Sequence, residues 1–164
     1  MTRRVFISVG SNIDRRRNVV VAVEVLHREF GPIQSSSVYE SDSVGFRGKP
    51  FYNLVVGFDT DRSMQELEER LKQIEHDSGR VRGPDPFVDR TLDLDIIVFG
   101  DFVADDAGID VPSADILNYA FVLRPLAELA PDGVHPKLDV TYASLWNAFD
   151  ADDQKLLQVD IEFD

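Results

Sequence analysis

Two aspartates, Asp93 and Asp95, interrupt the apolar run in DRTLDLDIIVFG, residues 89–100. In an extended chain side chains alternate faces, so the two carboxylates point the same way from Cα atoms roughly 6.5 Å apart at ~3.3 Å per residue. The neighbouring Leu92, Leu94, Ile96, Ile97, Val98 and Phe99 predict a buried strand, and unpaired buried carboxylates are costly. One relief is a structural salt bridge from each aspartate to an arginine. The other is a hard divalent cation: carboxylates along one face can hold one Mg²⁺, or clamp two ions about 3.5–4 Å apart, as phosphoryl-transfer sites do.

The nearby basic residues suit the anion that such ions would accompany. GRVRGPDPFVDR puts Arg80 and Arg82 in a Gly/Pro-bearing loop, with Arg90 at the mouth of the strand. Guanidinium groups offer forked donors that match phosphate oxygens. A third feature is KPFYNLVV, where Phe51, Tyr52 and Asn53 enter an apolar strand behind a Gly/Pro/Ser-rich loop. Aromatic rings at a strand start are ordinarily core, but an amide beside them offers both donor and acceptor edges to a stacked heterocycle. Phe121, in NYAFVLRPL, can supply a second ring.

These residues need a scaffold, and the pattern of elements supplies one. RVFISV (4–9) reads as a strand and GSN as a turn; Asn12 or Asp14 caps a helix that runs to Phe30 and stops at Gly31. IQSSSVYES reads as a polar-alternating strand and FYNLVVGFDT as a more buried one. Ser63 and Glu66 form a capping box ahead of MQELEERLKQIEHD, where Met64, Leu67, Leu71 and Ile74 recur at helical spacing. The strand at 91–99 completes the order strand, helix, strand, strand, helix, strand. That order predicts an α+β, ferredoxin-like βαββαβ core, an antiparallel sheet covered by helices. C-terminal additions follow: a short hairpin, a Pro-bounded helix over 118–130, a short helix over 142–149 and a closing strand in LLQVDIEF.

Composition narrows the function classes. The 164 residues fit one domain, 1–164, and without cysteine there is neither a disulfide framework nor a thiolate metal site. A reducing cytoplasm suits such a chain, and no apolar run is long enough for a membrane span. The formal net charge of −13 argues against a nucleic-acid or membrane surface. Residues 1–100 hold 16 acidic and 14 basic side chains, against 14 and 3 in residues 101–164, so the excess sits in the C-terminal third. GFRGKPF lacks the spacing and hydroxyl of a phosphate loop. His27, His76 and His135 lack metal-ligand spacing.

The block IEHDSGRVRGPDPFVDRTLDLDIIVFG resembles the 6-hydroxymethyl-7,8-dihydropterin pyrophosphokinase family, and VGSNI, PFYNLVV and VPSADILNYAFVLRPLAELAPD extend the resemblance to about Pro136. It implies a ferredoxin-like core and transfer of the terminal diphosphate of ATP to the pterin hydroxymethyl oxygen, with release of AMP. By motif, Asp93 and Asp95 correspond to ligands of two Mg²⁺ ions. Arg80, Arg82 and Arg90, with Glu75, correspond to the ATP-contacting set. Asn53 corresponds to the amide that reads the pterin edge, Phe51 and Phe121 to the rings that sandwich it, and Phe87 to the usual tryptophan of the arginine loop. Loops 42–50 and 80–89 correspond to loops that close over substrate.

The chain departs from the pattern at Ser113 and Ala114, where a histidine and an aromatic residue are common, and at Tyr119 and Pro86, where basic residues are common. These departures imply an altered grip on ATP. The expected partners are small molecules, and the expected state is a cytoplasmic monomer. Two alternatives remain: a paralogue that binds pterin or nucleotide without turnover, and another two-metal nucleotidyl-transfer enzyme.

Overall fold

In the computed structural model, described over residues 1–44, 48–79, 91–106 and 108–163, the first strand is longer than its apolar run. β1 (Arg3–Ser11) continues through Gly10 and Ser11, which the sequence assigns to a turn. The physical reason is pairing on both edges: Gly10 sits opposite Asn53 on one side and Asp93 on the other. Ser11 then closes the strand, its single hydroxyl proton shared between the carbonyls of Thr91 and of Ile13, at 3.1 Å.

α1 (Arg15–Phe30) follows from an Asp14 that adopts a left-handed conformation and makes no side-chain cap, and Gly31 ends it at φ 82°. The polar strand breaks in two, β2 (Gln34–Ser35) and β3 (Val38–Ser41), where the Ser36 side chain enters the pairing with β4 and Ser37 turns to α4. The Ser36 hydroxyl accepts from Val55 N–H at 2.9 Å, and Ser37 N–H donates to Glu128 at 3.0 Å. β4 (Phe51–Thr60) is buried along nearly its whole length. α2 (Met64–Asp77) opens with the predicted Ser63/Glu66 capping box, both hydrogen bonds present. β5 (Asp93–Phe99) completes the core.

The sheet order is β5-β1-β4-β3, with all neighbours antiparallel, and β2 also pairs with β4. With β2 and β3 counted as one broken strand, this is the ferredoxin-like arrangement expected from the element order. Beyond it come the hairpin β6 (Ala104–Asp106) and β7 (Ile109–Val111), then α3 (Asp115–Asn118), α4 (Ala120–Leu129), α5 (Tyr142–Ala148) and β8 (Leu157–Val159). β8 adds a fifth strand beside β3. The helix expected over 118–130 is α4, and a further short helix, α3, precedes it across Tyr119, whose φ −127° and ψ 123° are extended.

Each strand buries alternate residues in different cores. Val5, Ile7, Val9, Leu54, Val56, Phe58, Leu94 and Ile96 pack with α1 and α2. Phe6, Val55, Ile97 and Val98 pack with α3, α4 and α5. The consecutive Ile97 and Val98 share a core because the register shifts between Phe6 and Ile7, leaving Ile97 as an extra residue. Such a bulge reverses the in/out phase of the strand. Among the described residues no helix is long and apolar enough to cross a membrane.

Candidate active site

The parity of β5 places Asp93 and Asp95 on the same face as Ile97, the face that α4 covers only in part. Register then builds two rows across the sheet. One runs Asp93, Gly10, Asn53, Tyr39; the next runs Asp95, Ser8, Val55. At ~4.8 Å between neighbouring strands, the backbones of Asp93 and Asn53 are about 9.6 Å apart along their row. Gly10 keeps the floor between them clear. Even a methyl group at residue 10 would lie 3.4 Å from Asn53 Oδ1 and 3.7 Å from the Phe51 ring.

The expectation that the aspartate pair is buried is not met. Asp93 is half-buried and Asp95 exposed, while Leu94 between them is 2 % exposed. The apolar run deceives here because its residues serve two cores on opposite faces, and at the start of β5 only Leu94 points into one of them. An open face lowers the cost of two neighbouring carboxylates and leaves them within reach of a ligand. Among the described residues no group of three or more His, Asp or Glu side chains is arranged to hold a metal. The two carboxylates are a donor set that fits Mg²⁺, which keeps waters and takes its other oxygens from substrate phosphates.

Asn53 is 5 % exposed and held rigidly. Its Nδ2 donates to the Tyr39 carbonyl at 3.2 Å and to Ser41 Oγ at 2.7 Å. With both donors committed to β3, the orientation of the amide is fixed. Phe51 is buried on the same face, opposite Ser41. Phe121, half-buried in the first turn of α4, stacks on Tyr119 at 5.0 Å between centroids with the planes 21° apart. Arg80, Arg82, Phe87 and Arg90 lie outside the described residues, as does much of the loops 42–50 and 80–89.

Glu75 is 1 % exposed, and its Oε2 accepts from Leu94 N–H at 2.7 Å. Its carboxylate thus anchors the end of α2 to the β5 residue that separates the two aspartates. Ser113, at one of the departures from the family pattern, accepts from Asp115 N–H at 3.2 Å and supports the start of α3.

A second network joins α4 to the sheet. Glu128 accepts from Tyr39 OH at 2.6 Å and from Ser37 Oγ at 2.7 Å. Burial, reinforced by the hydrogen bond to Glu128, pushes the Tyr39 hydroxyl up to about 12, so it stays a donor at neutral pH. Burial also works to raise the Glu128 carboxyl, but the hydrogen bonds from Tyr39 and Ser37 and the charge of Arg124 outweigh it and leave the group below its ordinary value. Arg124 lies over the Tyr39 ring, 4.8 Å from its centroid.

Reasoning from sequence missed Gly10, Ser8, Tyr39 and Ser41 as parts of this face. The signal for Gly10 was available in VGSN, but a glycine before Ser-Asn reads equally well as a turn.

Comparison with known proteins adds an independent line. The sequence model of the 7,8-dihydro-6-hydroxymethylpterin-pyrophosphokinase family matches residues 6–131. The 2-amino-4-hydroxy-6-hydroxymethyldihydropteridine pyrophosphokinase of Pseudomonas aeruginosa is 39% identical over 140 residues, 80% of this chain and 83% of that protein. The Folic acid synthesis protein fol1 of Pneumocystis carinii is 33% identical over 147 residues, 85% of this chain but 19% of that one. Among solved structures, the wild-type HPPK-DHPS protein of Plasmodium falciparum superposes with a TM-score of 0.66 at 14% identity, covering 90% of this chain and 44% of that one. The chain therefore spans less than half of that solved protein, and at this identity the likeness establishes the fold.

Proposed function

The chain belongs to the 7,8-dihydro-6-hydroxymethylpterin-pyrophosphokinase family, and from that premise we propose how its open sheet face performs the reaction. The protein is a pyrophosphokinase of folate biosynthesis: it transfers diphosphate from ATP to the hydroxymethyl group of 6-hydroxymethyl-7,8-dihydropterin and releases AMP. The observation that carries our reading is the cross-sheet row, with Asp93 at one end, Asn53 at the other and the bare floor of Gly10 between them. A fused bicyclic ring at Asn53 would direct its hydroxymethyl arm along that floor toward the carboxylates.

In this reading Asn53 orients the pterin through its edge, with Phe51 and Phe121 against the ring faces. Asp93 and Asp95 would hold Mg²⁺, two ions expected, and the metal would supply charge neutralisation for the phosphates. By motif, Arg80, Arg82 and Arg90 are assigned to phosphate oxygens and Phe87 to substrate binding. Glu75 is assigned with them to the nucleotide side, where its bond to Leu94 N–H lets it act by holding the aspartate strand in place. The hydroxymethyl oxygen attacks the β-phosphorus of ATP as the bond to the α-phosphate oxygen breaks, so AMP carries away the bridging oxygen. No side chain forms a covalent intermediate; positioning and electrostatics carry the rate. We read the protein as a single cytoplasmic domain that works as a monomer on small molecules.

The test is product identity. Purified protein with ATP, Mg²⁺ and 6-hydroxymethyl-7,8-dihydropterin is expected to yield AMP and the pterin diphosphate. ADP would indicate an ordinary kinase, and unchanged ATP beside bound pterin would indicate a binding module; either overturns the reading. Omitting Mg²⁺ is expected to abolish turnover.

A further inference from the structure

A helix begins with backbone N–H groups that its own ladder cannot satisfy. α4 begins at Ala120 behind Tyr119, an extended residue that contributes no side-chain cap. The cap comes instead from the C-terminal segment. Gln154 Oε1 accepts from Ala120 N–H at 2.8 Å, and Gln154 Nε2 donates to the Asn118 carbonyl at 2.9 Å. One side-chain amide therefore grips the residues on both sides of Tyr119, across the break between α3 and α4.

At the break Tyr119 N–H donates to the Asp115 carbonyl at 2.9 Å and the Tyr119 carbonyl accepts from Val122 and Leu123 N–H at 3.1 and 3.0 Å, whereas Phe121 is held less. Pro125 sits inside α4 and has no N–H to return to the carbonyl of Phe121. The first turn thus lacks a ladder bond at the residue whose ring stacks on Tyr119. Gln154 is itself held in a turn: its N–H donates to the Ala151 carbonyl at 2.9 Å, and Asp152 N–H donates to Asp150 Oδ1 at 3.1 Å.

The same segment then crosses to the other wall of the site. β8 pairs with β3, Gln158 Nε2 donates to Ser37 Oγ at 3.2 Å, and Arg16 donates to the Asp160 carbonyl at 3.4 Å. β3 supplies the Tyr39 carbonyl and Ser41 hydroxyl that orient Asn53. Residues 150–160 therefore tie the α4 wall to the β3 wall, although they lie beyond the 6–131 stretch that matches the family.

We propose that Gln154 is a positioning residue for the pterin: by capping α4 across the Asn118–Ala120 break, it fixes the Tyr119–Phe121 stack that forms one side of the pterin site. The inference rests on the role proposed above for Phe121.

Steady-state kinetics on the full chain, with ATP and 6-hydroxymethyl-7,8-dihydropterin varied separately, test it. Gln154→Ala is expected to raise KM for the pterin about tenfold, the scale of a lost helix cap, while kcat and KM for ATP stay within about twofold. Gln154→Glu keeps the acceptor for Ala120 N–H but loses the donor, and should fall between wild type and alanine. Phe121→Ala serves as the reference and should raise the pterin KM at least as far. If Phe121→Ala does so and Gln154→Ala does not, the positioning role is overturned while the ring assignment stands. An unchanged pterin KM in Phe121→Ala removes the ring assignment and this inference with it. A parallel rise in both Michaelis constants with a lower melting temperature would make Gln154 merely structural and also overturn the proposal.

Discussion

The two faces of the central sheet come from the same strands and differ in what covers them. On one face Val5, Ile7, Val9, Leu54, Val56, Phe58, Leu94 and Ile96 meet α1 and α2 in a continuous apolar core. On the other, Phe6, Val55, Ile97 and Val98 lie under α4; beyond them Gly10 and Asn53 are still buried, Ser8 and Asp93 half-buried and Asp95 exposed. The chemistry-bearing residues thus run along the second face from the buried Asn53 amide to the exposed Asp95 carboxylate. Covered strand positions answer to volume and apolarity, whereas open ones are free to carry charge and hydrogen-bonding edges.

If that division is correct, the faces fail in different ways. The largest effect is expected from Asp95→Ala. It should lower kcat by about 10³-fold, roughly 4 kcal/mol of transition-state stabilisation, while the melting temperature moves by no more than ~2 °C, because Asp95 is exposed. Near-normal turnover would remove the carboxylates from the mechanism. On the covered face, Leu54→Ala should do the reverse. Leu54 is 0 % exposed, so its truncation should cost about 2–5 kcal/mol in chemical denaturation and leave kcat near normal at temperatures where the variant is folded.

Gly10→Val probes the boundary. Its branched side chain would stand on the floor beside Asn53 Oδ1 and the Phe51 ring, and should raise the pterin KM some tenfold, about 1.4 kcal/mol, with a smaller change in the ATP KM. Equal effects on both substrates would mean that the row does not separate a pterin end from a phosphate end.

The smallest effect concerns how the second cover is held on. His135 is 2 % exposed, in the loop between α4 and α5, and its Nδ1 accepts from Lys137 N–H at 3.2 Å and Leu138 N–H at 3.1 Å. Burial, with the nearby charge of Lys137, lowers its pKa from the usual 6.5. The unfolded chain therefore takes up a proton more readily, so this contribution to stability is present above about pH 6.5 and is lost as pH falls through the lower folded value. His135→Asn, whose side-chain oxygen can still accept a hydrogen bond, should flatten the fall in melting temperature between about pH 7 and pH 5. An unchanged slope would place the acid sensitivity elsewhere.

Local signals in the chain were sufficient for much of the fold. The Ser63/Glu66 capping box, the glycine stop at residue 31 and the order of periodic segments depend on neighbours within a few residues, so the split βαβ arrangement was legible. Breaks were not. The interruption of the second strand at Ser36–Ser37 involves Val55 and Glu128, and the start of α4 at Ala120 is capped by Gln154, partners that no local window contains.

By itself the sequence determined which residues can do the chemistry: two carboxylates of one parity, an amide beside an aromatic ring, and a family of known activity to which those motifs belong. Only the tertiary structure decided that the carboxylates stand on an open face, that Gly10 separates them from Asn53, and that a tail outside the shared region braces both walls. The physical reason is that parity along a strand is fixed by its own backbone, whereas register, coverage and bracing are set by segments distant in the chain that meet only after folding.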